Sequence, residues 1–178
     1  MALKSTIFKA DLQISDMDRG YYANHSLTLA RHPSETDERM MIRLLAFAMF
    51  ADEGLSFCKG LSSDDEPDLW QRDLTGAIEN WIELGLPDER RLRQASGRAS
   101  RVTLLTYGGR AVDVWWQKNR AACLKLPSLT VLRIPDDAAE ALTAMAVRTM
   151  QIQCSVQDGE YWLSDGERSA HIRPQRLD

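Results

Sequence analysis

The residues best suited to chemistry are acids: segment 64–68 reads Asp-Asp-Glu-Pro-Asp, and Glu83 follows fifteen residues after Asp68. A hard cation such as Mg²⁺ takes oxygen ligands in octahedral geometry, so Asp68 and Glu83 on neighbouring strand ends can hold one ion against a phosphate. This pattern favours cleavage of phosphodiester bonds. The ordinary alternative is that Pro67 and Asp68 form a turn and that Glu83 lies on the solvated face of a strand.

The strand that carries Glu83 is predicted over residues 78–84, a buried run of mixed character. Because side chains alternate along a strand, Trp81 and Glu83 share one face with position 85. In restriction-type PD-(D/E)XK nucleases, position 85 would be a lysine that orients the attacking water and offsets developing charge. This chain has Gly85 there, so a strict motif scan would reject it.

The next helix can supply the missing group. Pro87, Asp88 and Glu89 begin it, and segment 90–101 holds five arginines and no acid. With Leu92, Ala95 and Ala99 packed inward, Gln94 and Arg91 lie on one edge, where Gln94 can position a water or a phosphate. The candidate phosphate-binding residues are Arg91, Arg93 and Arg98. The alternative is a solvated helix face.

A first helix is predicted after Pro33, with Ser34 and Asp37 as a capping pair. Apolar residues recur at helical spacing, at Met41, Ile42, Leu45, Ala48 and Met49. Glu38 projects from the same stripe, one turn nearer the start. It is either a first-turn glutamate favoured by the helix dipole or a third carboxylate entering the metal site.

The order of elements predicts an α/β fold, a mixed sheet with parallel core strands flanked by helices, in one domain spanning residues 1–178. Residues 6–14 alternate and pair with a strand near Leu27 and Leu29 as an N-terminal hairpin. A helix follows Asp136 and Asp137 over 138–147, and residues 150–173 form a meander of short strands. These antiparallel strands at the two chain ends are expected to pair with one another in a side sheet.

Composition narrows the class of protein. The 178 residues are 44% hydrophobic and 27% charged, as in an ordinary globular protein. The longest apolar run, 44–51, is too short to span a bilayer, which predicts a cytoplasmic protein without a membrane partner. The three cysteines have no metal or disulfide spacing and are expected to be reduced packing residues. The net charge of −4 restricts any nucleic-acid site to a local patch, namely the basic helix.

Four longer strings carry a resemblance: residues 26–36, 64–70, 81–91 and 158–165. With them the chain resembles the YaeQ family of small bacterial proteins along nearly its whole length. The resemblance implies a variant of the PD-(D/E)XK nuclease fold. The cofactor that the acids themselves predict is Mg²⁺ or Mn²⁺. In this variant the first helix contributes a glutamate and the lysine has moved to the helix after the strand. Glu38, Asp68 and Glu83 match that pattern, and the position of the moved lysine falls at Gln94, beside Arg93.

Two functions follow as hypotheses. The first is a metal-dependent nuclease in which Asp68 and Glu83 bind the cation, Glu38 assists, and Gln94 with nearby arginines steadies the phosphate. The second is a non-catalytic protein that keeps the nuclease fold and binds nucleic acid through the arginine helix, or binds a protein partner. The family has a recognised fold and no settled activity, so the resemblance leaves both hypotheses open.

Overall fold

The structure, a computed structural model, describes residues 4–178. The strands of this part are β1 (Thr6–Asp16), β2 (Tyr21–Arg31), β3 (Leu55–Phe57), β4 (Leu69–Arg72), β5 (Ile78–Leu84), β6 (Ala99–Thr106), β7 (Leu129–Arg133), β8 (Thr149–Gln157), β9 (Glu160–Ser164), β10 (Ser169–Ile172) and β11 (Gln175–Arg176). The α-helices are α1 (Asp37–Phe50), α2 (Glu89–Arg98), α3 (Arg110–Leu124) and α4 (Asp136–Ala144). The backbone divides into two compact units: the described part of Met1–Met49 with Asp137–Pro174, and Phe50–Asp136 with Gln175–Asp178. The single-domain expectation stays a prediction.

The first unit contains a five-stranded sheet in the order β10-β9-β8-β1-β2. The predicted N-terminal hairpin is confirmed, since β1 and β2 pair antiparallel over their whole lengths. The predicted pairing of the two chain ends is also confirmed, because β1 runs parallel to β8. Buried and exposed residues alternate strictly along β8, which gives the sheet one apolar face and one polar face.

Helix α1 is buried at every residue from Met40 to Met49, not only along the apolar stripe. Its start differs from the prediction: the helix begins at Asp37, and the Thr36 hydroxyl accepts a hydrogen bond from the Arg39 amide at 3.1 Å. Ser34 is not the cap, because its hydroxyl bonds the ring of His32 instead. A hydroxyl three residues before the bonded amide is the usual N-cap geometry.

The second unit contains a six-stranded sheet in the order β11-β7-β6-β5-β4-β3. Strands β5, β6 and β7 are parallel, as the alternation of strands and helices predicts. The hairpin β3-β4 extends one edge, and β11 pairs antiparallel with β7 at the other. The predicted mixed α/β architecture is confirmed at this level: the described strands form two sheets, and the sheet of the first unit is the predicted side sheet.

The core of the second unit lies between this sheet and its two longer helices. Its buried residues are Trp81, Leu92, Ala95, Val102, Leu104, Trp115, Cys123, Leu129 and Val131. Trp115 is part of this cluster while Trp116 packs against it from a half-buried position, as expected for neighbours about 100° apart on a helix. The indole of Trp115 donates to the Pro87 carbonyl at 2.7 Å, which ties α3 to the start of α2.

The structure bears on two smaller expectations, for the cysteines and for helix α4. The cysteines Cys58, Cys123 and Cys154 are free, and burial raises the pKa of Cys58 and Cys154 to about 12, so neither forms a thiolate near neutral pH. None of the helices within residues 4–178 is long and apolar enough to cross a membrane. Helix α4 covers Asp136–Ala144, so it begins and ends earlier than predicted.

Candidate metal and phosphate site

Asp68 lies immediately before β4, where that strand starts beside the end of β5. Because β4 and β5 are antiparallel, with Leu69 opposite Ile82, this start is the carboxyl end of β5. The side chain is 2% exposed, and its Oδ2 accepts a hydrogen bond from the Leu84 amide at 2.9 Å. Gly60 lies against Oδ1 of Asp68, where a β-carbon would clash. The backbone therefore fixes the Asp68 carboxylate on two sides.

Glu83 is the second buried carboxylate at this end of β5, 6% exposed. Its Oε1 accepts three hydrogen bonds: from the Trp81 indole at 3.0 Å and from Nε and Nη2 of Arg91 at 3.2 and 2.8 Å. The bond to Trp81 confirms that residues 81 and 83 share a face of the strand. No hydrogen bond reaches Oε2 from any residue of 4–178, so one oxygen is held and the other is left available.

Burial raises the pKa of Glu83, and the nearby charge of Asp68 raises it further. The hydrogen bonds and charge of Arg91 and the bond from Trp81 act in the opposite direction. Asp68 and Glu83 are thus close enough for their charges to interact. Two neighbouring buried carboxylates form an environment in which a cation is favourable.

Arg91 connects this pair to the acidic loop 64–66. Besides Glu83, it donates to the main-chain carbonyls of Asp64 and Glu66, the latter at 2.7 Å. Arg98 donates in the same way to the carbonyl of Asp65. The loop is held through its backbone, because carbonyl oxygens accept well from guanidinium groups.

Both arginines also contact the face of Trp81. The guanidinium carbons of Arg91 and Arg98 lie 5.4 and 5.2 Å from the indole centroid. The guanidinium groups of Arg91 and Arg98 therefore bind other groups of the protein. The sequence predicted Arg91, Arg93 and Arg98 as phosphate ligands. Arg93 differs, since its side chain is 65% exposed and 3.6 Å from Glu89.

Gln94 lines a cleft of about 250 Å³ at the start of α2, together with Asp64, Asp88, Arg90 and Arg91. The predicted common edge of Arg91 and Gln94 is confirmed by this lining. Asp88 is the helix cap, with Oδ1 accepting from the Arg91 amide at 2.8 Å. The side chains of Arg90 and Gln94 have no hydrogen-bonding partner within residues 4–178, so the cleft offers a guanidinium and a carboxamide to a ligand.

Gly85 has a φ of +101°, a conformation that side-chain-bearing residues rarely adopt. A β-carbon there would meet nothing within 4 Å. A β-carbon therefore has space at position 85, but the backbone conformation disfavours any residue other than glycine.

Comparisons with known proteins agree along nearly the whole chain. The YaeQ protein family model matches residues 1–174. The chain belongs to the YaeQ family. It is 49% identical over 172 residues to the uncharacterized protein YaeQ of Escherichia coli K12, covering 97% of this chain and 95% of that protein. It is 48% identical over 173 residues to YaeQ of Salmonella typhi, covering 97% and 96% of the two chains.

Solved YaeQ structures share the fold. The crystal structure from Xanthomonas axonopodis pv. citri superposes with a TM-score of 0.93 at 51% identity, covering 98% of each chain. The structure from Pseudomonas syringae gives 0.93 at 38% identity, covering 98% of this chain and 96% of that one. The mixed α/β architecture with two sheets is therefore that of the YaeQ family.

The candidate site of this YaeQ chain contains two carboxylates in one unit. Within residues 4–178, no group of three or more His, Cys, Asp or Glu side chains lies close enough to hold a metal ion. Glu38 is half-buried in the first turn of α1, in the first unit, whereas Asp68, Glu83 and Gln94 belong to the second. A metal ion can use one or two protein carboxylates when waters and phosphate complete its shell, so two carboxylates are enough in number for such an ion.

Arg90 is the residue of this YaeQ chain that sequence reasoning missed. It precedes Gln94 by four residues, so the two lie on one side of α2, and both line the cleft. The spacing was visible in the sequence. What was not visible is that Arg91 and Arg98 are already engaged, which leaves Arg90 as the arginine of the cleft without a protein partner in the described chain.

Proposed function

We propose that this protein hydrolyses phosphodiester bonds with a divalent cation, Mg²⁺ or Mn²⁺, bound by Asp68 and Glu83. The observation that carries the proposal is the pair of buried carboxylates at the carboxyl end of β5, 2% and 6% exposed. Burial raises the pKa of Glu83, and the charge of Asp68 adds to that rise. Buried like charges are costly unless a counter-charge offsets them, and a cation between them is such a charge. A variant of the PD-(D/E)XK arrangement is the corresponding proposal for the fold.

The hydrogen bonds of the pair support this assignment. Oε1 of Glu83 is held by Trp81 and Arg91, and Oδ2 of Asp68 by the Leu84 amide. Glu83, oriented by hydrogen bonds on Oε1, can offer Oε2 to a metal without reorganising. Arg91 is therefore proposed as a positioning residue for Glu83.

When bound, the cation would lower the pKa of a water and polarise a phosphoryl oxygen. The chain's own groups divide the remaining tasks. Gln94 would hold the attacking water or a phosphate oxygen through its carboxamide, and Arg90 would neutralise phosphate charge in the same cleft. Arg93, exposed on α2, is proposed to contact a more distant phosphate, with Arg98 supporting the loop. Glu38 stays a proposed additional carboxylate.

Calorimetric titration tests the cation site. We expect Mn²⁺ and Mg²⁺ to bind the parent and not the double variant Asp68→Asn/Glu83→Gln. The matched control is Asp65→Asn/Glu79→Gln, which makes the same chemical changes in the same loop and strand. Equal heats in all three proteins, or no heat in the parent, would contradict the proposal.

A cleavage assay tests the reaction itself. Single-stranded DNA, duplex DNA and RNA are incubated with each protein in Mn²⁺, and we expect the parent and the control to cut at least one polymer. Glu83→Gln and Asp68→Asn should abolish the cutting. Cleavage that survives both substitutions, or resists chelator, would assign the activity to something else.

One observation favours a second function, binding without catalysis. Arg91 already places a guanidinium 2.8 Å from Glu83, so a cation of the protein itself offsets the charge of this carboxylate, as a bound metal would. Neither position 85 nor position 94 is a lysine. This function predicts that nucleic acid binds the protein in the presence of chelator. If no nucleic acid binds, it predicts a protein partner. A gel shift that persists in chelator, with no cleavage in Mn²⁺, would favour it.

A further inference from the structure

The first unit has a cavity of its own, of about 480 Å³, on the five-stranded sheet. It is lined by six exposed residues of the neighbouring strands β8, β1 and β2, by Leu12, His25 and Ile152 between them, and by residues 164–166 at the end of β9. The cavity therefore lies on the polar face of the sheet. Polar sheet faces are normally just solvated, so its chemistry depends on which groups are already engaged.

One row of side chains across the cavity is internally bonded. Asp11 accepts from the Ser26 hydroxyl at 3.1 Å and from the Gln151 carboxamide at 3.0 Å. These residues are direct neighbours in register on β2, β1 and β8. Each carboxylate oxygen of Asp11 has a hydrogen-bonding partner in the protein, so the side chains of this row are held in place.

The adjacent row is made of carboxamides. Gln13 pairs in register with Asn24 on one side and with Gln153 on the other. The three side chains line the cavity and have no hydrogen bond to any other residue of 4–178. A carboxamide both donates and accepts, so this row offers three acceptors and six N–H donors side by side.

An aromatic plane stands next to this row. Ser164, opposite Gln153, is two residues from Trp162 on β9, a step of about 7 Å along the strand. Trp162 is 38% exposed and stacks on His171 at 4.7 Å with 10° between the rings. His171 in turn lies 3.3 Å from Glu160, so the indole is supported on one side.

The charges of the cavity exclude several classes of ligand. No lysine or arginine lines it, so a phosphate or a nucleic-acid backbone finds no counter-charge there. Its acids are Asp11 and Asp165, and Asp165 accepts from two main-chain amides and from Arg168. With both acids engaged, an ammonium group finds no free carboxylate. The remaining match is a neutral ligand rich in hydroxyl groups.

We propose that the amide row Gln13, Asn24 and Gln153, flanked by Trp162, binds a neutral carbohydrate. Sugar hydroxyls both donate and accept, as the carboxamides do. The apolar face of a pyranose ring packs on an indole, which combines an apolar surface with a polar edge. The cavity holds a mono- or disaccharide, and the exposed sheet face continues beyond it. This proposal is independent of the cation site in the second unit.

Two-dimensional amide NMR of the full chain tests it. The probes are maltohexaose, cellohexaose, laminarihexaose and chitohexaose, each to about 10 mM, the range in which weak sugar binding saturates. We expect at least one to shift the side-chain amides of Gln13, Asn24 and Gln153 and the Trp162 indole. Loss of one or two hydrogen bonds should make Gln153→Ala bind at least about tenfold more weakly.

The matched control is Gln157→Ala, the same change on the same face of β8 but outside the cavity. It should bind within about twofold of the parent, less than the loss of one hydrogen bond. Far-ultraviolet circular dichroism checks that both variants are folded. If Gln153→Ala is not folded, Trp162→Ala replaces it as the variant expected to lose binding. No shift with any of the four sugars would overturn the proposal, as would equal losses in both glutamine variants. Shifts of the same amides by a hexathymidylate and by no sugar would also overturn it, in favour of nucleic acid.

Discussion

At the scale of single residues, the second unit is organised around Arg91. This side chain, 18% exposed, joins β5 to the acidic loop through Glu83 and the carbonyls of Asp64 and Glu66. Removing one partner of a buried ion pair costs more than the pair itself contributes, because the other charge stays buried. The loop and the carboxylate therefore depend on one guanidinium.

A first prediction concerns the stability of Arg91→Ala. We expect its free energy of unfolding in urea to fall by about 3 kcal/mol, since Glu83 and two carbonyls lose their donor. Arg93→Ala is the matched control on the same helix, with an exposed side chain and a weak pair to Glu89. It should change stability by less than about 0.5 kcal/mol. A loss in Arg91→Ala as small as that expected for Arg93→Ala would show that the contacts of Arg91 contribute little.

A second prediction follows from the raised pKa of Glu83. Burial and the charge of Asp68 make the folded chain hold the Glu83 proton more tightly than the unfolded chain does. The resulting stabilisation is present below the ordinary value of 4.5 and is lost as pH rises through the folded pKa. Relative to Glu83→Gln, the parent should therefore lose stability across this window, measured by urea unfolding at a series of pH values. A difference that does not vary with pH would contradict the shift.

At the scale of elements, the sequence predicts the strands and helices that are marked by a pattern or a cap within their own residues. The alternation of Phe8, Ala10 and Leu12 gave β1, and Pro87 with Asp88 gave the start of α2. The two-residue β11 was not predictable, since two exposed residues carry no period. The start of α1 was misplaced because Ser34 and Thr36 are both good caps, and the bond of Ser34 to His32 decides between them.

The candidate site also has features that the sequence predicts and features that only the structure shows. The proximity of Asp68 and Glu83 could be predicted, because Asp68 lies just before the start of β4 and Glu83 near the end of β5, and these two ends meet in an antiparallel pair. The engagement of Arg91 and Arg98 could not, since their partners lie 27 and 33 residues away in the loop. Long-range side-chain bonds have no local sequence signal. This is why Arg90, whose side chain lines the cleft and has no partner within residues 4–178, was identified only from the structure.

A third prediction uses two glycines of the second unit. Gly60 has a φ of +47° and lies against the held carboxylate of Asp68, so Gly60→Ala should displace that side chain as well as strain the backbone. We expect a loss of about 2 kcal/mol in unfolding free energy. The same variant should bind Mn²⁺ more weakly, because Asp68 is a proposed ligand.

The control for Gly60→Ala is Gly97→Ala, near the end of α2, where an added β-carbon meets nothing within 4 Å. Helix propensity there predicts a gain of about 0.5 kcal/mol. The two variants are compared by thermal and urea unfolding. A stabilised Gly60→Ala protein, or one with unchanged Mn²⁺ affinity, would show that the approach of Gly60 to Asp68 has no consequence.

At the scale of the whole molecule, a net charge of −4 opposes the binding of a polyanion. Attraction must then come from a few local cations. Of the α2 arginines, Arg91 and Arg98 are bound to the loop, which leaves Arg90 in the cleft and the exposed Arg93. Nucleic-acid binding by this surface should therefore involve few phosphates.

The last prediction puts a number on that statement. With two phosphate contacts, the logarithm of the association constant for duplex DNA should fall against the logarithm of salt with a slope of about −2. Arg90→Ala should reduce the slope by about one unit and weaken binding at low salt, because one contact is lost. Lys118→Ala, which removes an exposed charge on α3, is the control and should leave the slope unchanged. Fluorescence anisotropy in chelator measures all three proteins. A steep slope that is the same in every variant would mean that the contacts lie outside the cleft of Arg90 and Gln94.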